Sequence, residues 1–341
     1  MREVAEPKVR RGALIVRMKA VPLLSYLDKY VEGQLPYMYP EIPFTPGTNG
    51  VGEIVAVGDG VSQYRVGQRV ALSPHFVVAE NSDEAPQILI GLTGMGPNSA
   101  STLRDWPDGT LREQALMPAS VAVSLDGLEN ISFDRLATLG KFSVPLGGLI
   151  RGRLAAGETV IISGATGYFG SGAVLLALAL GAARVVISGR HQEALEAIAR
   201  HDKSRIVPVV LSGDVPRDAE QLREAAGGGA ELAFDMVGRA TDPNSTLSAL
   251  HALKRFGRLV LMGSMTVPLP LPYAELLQQN KEVIGNFMYR PEDYRRLVKL
   301  VRAGQLDLGK VNVQSFPLAD IPTAMKAAGK MRGLDCTVVT L

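Results

Sequence analysis

The chain has 341 residues, more than one ordinary core holds, and fits two domains of roughly 100 to 200 residues each. Hydrophobic residues at 46%, charged residues at 21% and 36 glycines suit a compact enzyme and exclude a disordered or fibrous chain. A net charge of only +2 with scattered basic residues excludes an electrostatic stripe for nucleic acid and leaves a small molecule as the expected partner.

The opening MREVAEPKVRRGALIV carries charges but no apolar stretch of signal-peptide length, and it runs straight into a strand-like segment. The longest apolar run, around Ala173 to Leu180, falls far short of the ~20 residues that span a bilayer, so a cytoplasmic location without a membrane partner is expected. Residues 1–120 read as short β-rich segments broken by Gly and Pro, such as 50–58 and 66–72. Residues 80–108 read as a long polar loop around the only tryptophan, Trp106, of a kind that often serves as a lid.

From Glu158 the pattern changes to regular alternation of strand and helix, which indicates a parallel α/β sheet. It predicts strands at 159–163, 184–188, 205–210, 231–236 and 258–262. Helices are predicted at 168–180, 192–201, 218–226, 243–253, 273–279 and 291–303.

Residues 160–170, Val-Ile-Ile-Ser-Gly-Ala-Thr-Gly-Tyr-Phe-Gly, put small residues where a strand turns sharply into a helix. Gly164, Gly167 and Gly170 let the backbone approach a pyrophosphate, and the helix start offers unpaired amides and a positive dipole end. A Gly-rich turn alone is a weak signal; the strand before it, the helix after it and a second strand downstream supply the context the motif demands. In NAD-binding versions an acidic residue closes that second strand and takes the ribose hydroxyls. Here it ends in Ser188, Gly189, Arg190 and His191, leaving room for a 2′-phosphate that Arg190 can pair with. A charged hydrogen bond worth roughly 1.5 to 3 kcal/mol favours NADPH by about ten- to a hundredfold, so NADP(H) is the expected cofactor. The competing reading of Arg190 is a solvated residue opening the next helix.

Together these pieces resemble the medium-chain dehydrogenase/reductase superfamily, and within it the zinc-independent quinone oxidoreductase-like branch, over nearly the whole chain. Residues 43–58, Pro-Phe-Thr-Pro-Gly-Thr-Asn-Gly-Val-Gly-Glu-Ile-Val-Ala-Val-Gly, look like the branch's Pro-Gly turn and following strand. Residues 64–70, 109–115, 231–238 and 257–264 match further segments in order. The resemblance implies an α/β protein: a Rossmann doubly wound parallel sheet (123–287) inserted into a β-rich, GroES-like catalytic domain (1–122 plus 288–341). The cofactor would lie in the interdomain cleft of a homodimer or homotetramer. It would touch Gly164, Ala165, Thr166, Gly167, Tyr168, Phe169 and Gly170 at the turn, and Ser188, Gly189 and Arg190 at the ribose. Val237, Gly238, Met262, Gly263 and Ser264 would pass beneath its nicotinamide half, which Asn286 and Phe287 approach from the other side.

The departures matter as much as the matches. Zinc-dependent relatives carry His after the Pro-Gly turn, but Pro46 and Gly47 are followed by Thr48 and Asn49. Their Cys ligand falls near Leu24 or Ser25, and their third ligand falls near Gly140 or Lys141. The loop after Glu80 lacks the cysteines of their structural zinc lobe, the only cysteine being Cys336, and His75, His191, His201 and His251 show no ligand spacing. No metal is expected.

Without a Lewis acid, a developing oxyanion needs hydroxyl, ammonium or amide donors. The resemblance offers Tyr30, in a segment that borders the nicotinamide in relatives, and Tyr26, at the proton-relay position under an alternative alignment. Lys141 sits where relatives contact nicotinamide or substrate. A phenol with a reference pKa near 10 is protonated at neutral pH and can donate. The competing reading is a packing residue for each tyrosine and a surface lysine for Lys141.

The function expected is metal-free, NADPH-dependent reduction of an activated C=C bond in an α,β-unsaturated carbonyl, or of a quinone, by hydride transfer. The alternative is metal-free carbonyl reduction or alcohol oxidation on the same scaffold. From another class, the chain would be a non-catalytic nucleotide-binding or sensing protein.

Overall fold

Nearly unbroken burial along β1 (Ala13–Pro22) makes this strand the hub of the first sheet. The computed structural model describes residues 3–78 and 84–341. After β1 come α1 (Leu27–Val31), β2 (Gly50–Val57), β3 (Arg69–Leu72), β4 (His75–Val77), β5 (Gln87–Leu89), β6 (Thr93–Gly94), α2 (Ala100–Asp105), β7 (Gln114–Pro118) and β8 (Ala122–Ser124). The chain then forms α3 (Phe133–Ala137), α4 (Leu139–Arg151), β9 (Thr159–Ser163), α5 (Tyr168–Ala179), β10 (Arg184–Gly189), α6 (Gln192–Ala199), β11 (Ile206–Val210) and α7 (Val215–Ala225). It continues through β12 (Ala230–Asp235), α8 (Asn244–His251), β13 (Leu253–Leu261), α9 (Tyr273–Gln279), β14 (Glu282–Gly285) and α10 (Pro291–Arg302). Last come β15 (Asn312–Pro317), α11 (Ile321–Ala328) and β16 (Asp335–Thr340).

The first sheet runs β15-β16-β1-β2-β3-β8, with β7 also on β1. The chain's last strand therefore returns to its first: β16 pairs antiparallel with β1, Ala20 opposite Thr340. The second sheet is parallel and runs β11-β10-β9-β12-β13-β14, the strand order of a doubly wound dinucleotide fold. A GroES-like domain and a Rossmann-type sheet are thus both present.

β9 explains why the second sheet is covered on both faces. Val160 and Ile162 pack with Val185, Ile187, Phe234 and Val260 on one side. Ile161 packs with Val186, Ala233 and Leu259 on the other. Such continuous burial is what a parallel sheet between helices requires.

Two expectations need correction. The 80–108 segment is not a loop throughout: β5, β6 and α2 fall within it, and Trp106 packs edge-on against Phe76 with the Arg10 guanidinium over its ring. Residues 80–83 of that segment lie outside the described residues. β13 begins at Leu253, ahead of the predicted 258–262, because the left-handed backbone of Phe256 (φ +64°) separates an early pairing from the main ladder. Among the described residues no helix is long and apolar enough to cross a membrane.

Candidate active site

The ends of β9, β10, β12, β13 and β14 line one edge of the parallel sheet, and the strand order reverses between β9 and β12. A crevice at such a reversal is where open α/β sheets bind ligands. β9 ends in buried Ser163, and the chain turns at Gly164 with φ +71°, a conformation that penalises any Cβ. A Cβ on Gly170 would lie 2.1 Å from the Gly164 carbonyl oxygen, so only glycine lets α5 start this close to the turn. The N-cap, Gly167, gives α5 no side-chain cap. Its first amides are therefore left for an anionic ligand, on the positive end of the helix dipole.

The neighbouring strand ends hold this cradle. Met236 donates its N–H to the Ser163 carbonyl, and Met262 donates to that of Asp235. The buried Asp235 carboxylate accepts from the Val237 amide and the Thr246 hydroxyl, while burial pushes its pKa up. Gly238 bridges to Ser264, whose N–H donates to Val237. Arg190 is exposed at the end of β10, beside Gly189. Ser188 is fully buried; its hydroxyl faces Ser163 and its carbonyl accepts from Ala165, so it tethers the turn rather than facing a ribose.

Across the turn from the first sheet lies a cleft of about 130 Å³. Pro22, Leu23, Leu24, Pro74, Leu89 and Leu92 wall one side; Gly140, Val144, Tyr168, Phe169 and Met288 wall the other. Tyr26, Thr48 and Asn49 supply its polar edges. The Thr48 hydroxyl pairs with no protein group among the described residues, yet no buried polar side-chain atom there is left unsatisfied, so this hydroxyl keeps access to a cavity; Thr48 lines both this cleft and a smaller neighbour beside Leu27 and Leu111. Burial raises the Tyr26 pKa, with Tyr37 acting in the same direction, so the phenol keeps its proton.

The structure separates the three predicted catalytic residues. Tyr26 reaches the cleft, but Tyr30 is only 1% exposed, stacks on Tyr39 and donates its hydroxyl to the Leu92 carbonyl at 2.6 Å. Lys141 is fully buried and donates to the carbonyls of Tyr168 and Gly333 at 2.6 and 2.8 Å. Both donors are spent on backbone and neither faces the cleft. Asn286 likewise donates its amide to the Met288 carbonyl, and Phe287 is 70% exposed on the outside. Tyr289 spans the domains, its hydroxyl 2.8 Å from that of Ser73. Met288 and Val144 carry no sequence signal for this cleft, and in the sequence Thr48 and Asn49 register only as missing ligands.

Two family models match: "Alcohol dehydrogenase GroES-like domain" over residues 10–127 and "Zinc-binding dehydrogenase" over 169–303. The chain belongs to the medium-chain dehydrogenase/reductase superfamily. Sorbitol dehydrogenase of Bacillus subtilis is 24% identical over 330 residues, 94% of this chain and 88% of that protein. An alcohol dehydrogenase of Geobacillus stearothermophilus is 26% identical, covering 94% and 90%. The crystal structure of 2R,3R-butanediol dehydrogenase from Bacillus subtilis superposes with a TM-score of 0.82 at 20% identity, over 100% of this chain and 95% of the other, which shows the fold. The chain is thus an oxidoreductase of the zinc-type alcohol dehydrogenase family, which implies a nicotinamide dinucleotide that the turn at Gly164 fits. These relatives do not show the quinone oxidoreductase branch.

The zinc in the family's name does not fit this member. By the resemblance, Thr48 stands where zinc relatives carry His and the third ligand falls near Gly140 or Lys141; a Cβ on Gly140 would lie 3.0 Å from the Cβ and Cγ of Asn49, and Lys141 is held by backbone carbonyls. The Asn49 side chain would have to give by a few tenths of an ångström to admit even that Cβ. Among the described residues no group of three or more His, Cys, Asp or Glu could hold a metal.

Proposed function

We propose that this oxidoreductase interconverts a small apolar alcohol and its carbonyl compound with NADP(H), using neutral hydroxyl donors in place of zinc. The observation that carries this reading is the composition of the cleft: Tyr26, Thr48 and Asn49 converge on about 130 Å³ that is otherwise apolar. When bound, the nicotinamide supplies or accepts the hydride. The chain's own part is to hold the substrate oxygen. Thr48 donates its hydroxyl to it and the Tyr26 phenol supports it while keeping its proton, whereas Asn49, whose amide donates to the Leu72 carbonyl, walls the site beside them. The apolar walls exclude water and strengthen each of these hydrogen bonds.

The same walls argue against a polyol, although a relative is named for one. Each substrate hydroxyl buried without a partner costs roughly 1 to 3 kcal/mol, and this cleft has few partners to offer. Alcohol and polyol dehydrogenases among the relatives favour C=O chemistry over the predicted C=C or quinone reduction. NADPH preference rests on Gly189 and exposed Arg190 where an NAD enzyme would place its acid. Pairing of two copies rests on the free edge of β14, flanked by exposed Tyr273, Leu277 and Phe287.

The test pairs a saturated ketone with the enone of the same carbon skeleton and a simple quinone, following NADPH consumption. Turnover of the ketone is expected; consumption with only the enone or quinone would overturn the reading.

A further inference from the structure

We infer that Lys141 is a positioning residue for the dinucleotide: it ties the phosphate-binding turn to the C-terminal lobe of the barrel domain and sets a buried positive charge behind the first turn of α5. The inference rests on the reading of that turn as the cofactor site.

The geometry is a knot of three segments. Lys141, on α4, donates to the carbonyl of Tyr168, the first residue of α5, and to those of Gly333 and, at 3.5 Å, Asp335. Gly333 returns the tie by donating its N–H to the Thr166 carbonyl, inside the turn, at 3.0 Å. Ser171 closes it, its hydroxyl donating to the same Gly333 carbonyl. The ammonium also lies 3.9 Å over the ring of Tyr168, a residue of the cleft wall.

Burying an ammonium is expensive unless it is paired. Here its contacts are carbonyls and a ring, and no carboxylate lies within ion-pair distance of it among the described residues. Carbonyls satisfy its protons without cancelling its charge. In so dry a setting that charge acts on its surroundings with little screening, and a pyrophosphate at the α5 amides is the anion it would serve.

Charge state gives the inference its signature. Burial lowers the Lys141 pKa to about 7, against the upward pull of the Cys336 thiol and Asp335 carboxylate on β16; Tyr168 faces it from α5. A bound pyrophosphate favours the protonated form, so affinity is greatest below about pH 7 and falls as pH rises. Folding responds oppositely. The unfolded chain, with an ordinary lysine near 10.5, holds the extra proton from about pH 7 upward, so this group makes stability rise across that window.

Dissociation constants for NADH and ADP-ribose, neither of which carries a 2′-phosphate titrating near pH 6, test this from pH 6 to 9 in the wild type and Lys141→Met, beside thermal unfolding. Wild-type affinity should fall about tenfold while the melting temperature rises, one unit of linked pKa being a factor of ten. Lys141→Met should bind about tenfold more weakly at pH 6, with a flat profile. Wild-type affinity and pH profile in Lys141→Met would overturn the inference, as would a flat wild-type profile, which decides the matter even if the variant does not fold. Ser171→Ala, which loosens the tie but keeps the charge, should bind more weakly with the pH slope intact; loss of the slope there counts against Lys141. A wild type that binds neither NADH, NADPH nor ADP-ribose refutes the cofactor site itself.

Discussion

Asn49 packs against Gly140 so closely that a Cβ on Gly140 would lie 3.0 Å from the Asn49 Cβ and Cγ. The resemblance puts a zinc ligand of relatives at or beside Gly140, and here even a Cβ there would press on Asn49. Purified protein should therefore carry far less than one zinc per chain by elemental analysis, and chelators should leave its turnover intact. Gly140→Cys alone should not restore a site, because Asn49 must yield to it, an overpacking of about 1 to 3 kcal/mol, and the described residues hold no group of three His, Cys, Asp or Glu to join it. Stoichiometric zinc whose removal abolishes activity would contradict this account.

Thr48→Val removes a hydroxyl that makes no bond within the protein, so the fold should barely notice. If that hydroxyl holds the substrate oxygen, kcat/KM should drop about 10²- to 10³-fold, the usual scale for a lost oxyanion donor. Tyr26→Phe should cost less, as one of several donors. Because burial raises the Tyr26 pKa, ionisation of this phenol should not produce an alkaline limb below about pH 10 in the rate profile, 10 being the unperturbed tyrosine value. Wild-type kcat/KM in both variants would remove these residues from the site.

Arg190→Ala should raise the KM for NADPH by about ten- to a hundredfold while leaving NADH nearly unaffected, from the strength of a charged hydrogen bond. Steady-state kinetics with the two cofactors decides it. Equal effects on both would mean that Arg190 only solvates the start of α6.

How far the sequence could be read depended on how local the constraint was. The turn from Gly164 to Gly170 was legible because backbone geometry admits almost nothing but glycine at those two ends. The parallel strands were legible from their apolar runs. The cleft was not, because Leu23, Leu24, Val144 and Met288 come from separate segments and each reads alone as core. Lys141 looked available because nothing nearby in sequence announces the Gly333 carbonyl, 192 residues on. Tyr26 and Tyr30, four positions apart around α1, differ only in which neighbour they meet: the cleft for one, Leu92 for the other.

The free edge of β14 makes a separate prediction. Tyr273 is 79% exposed and Leu277 65%, on the helix that leads into this strand. Leu277→Asp would place a charge in the proposed interface between two copies and, if that interface forms, should shift the mass measured by light scattering from dimer toward monomer. A wild-type protein that is monomeric at every concentration excludes the pairing.

Tyr30 offers the sharpest separation of stability from chemistry. Its hydroxyl donates to the Leu92 carbonyl at 2.6 Å inside a core where the residue is 1% exposed. Tyr30→Phe keeps the ring stacked on Tyr39 but strands that carbonyl, which should cost about 1 to 3 kcal/mol in denaturant unfolding. Because the lost hydroxyl never faced the cleft, kcat/KM of the folded enzyme should stay near the wild-type value. The reverse pattern, unchanged stability with a fall in kcat of about 10² or more, would return Tyr30 to the catalytic role that the sequence resemblance implied, since general acid–base groups typically contribute on that scale.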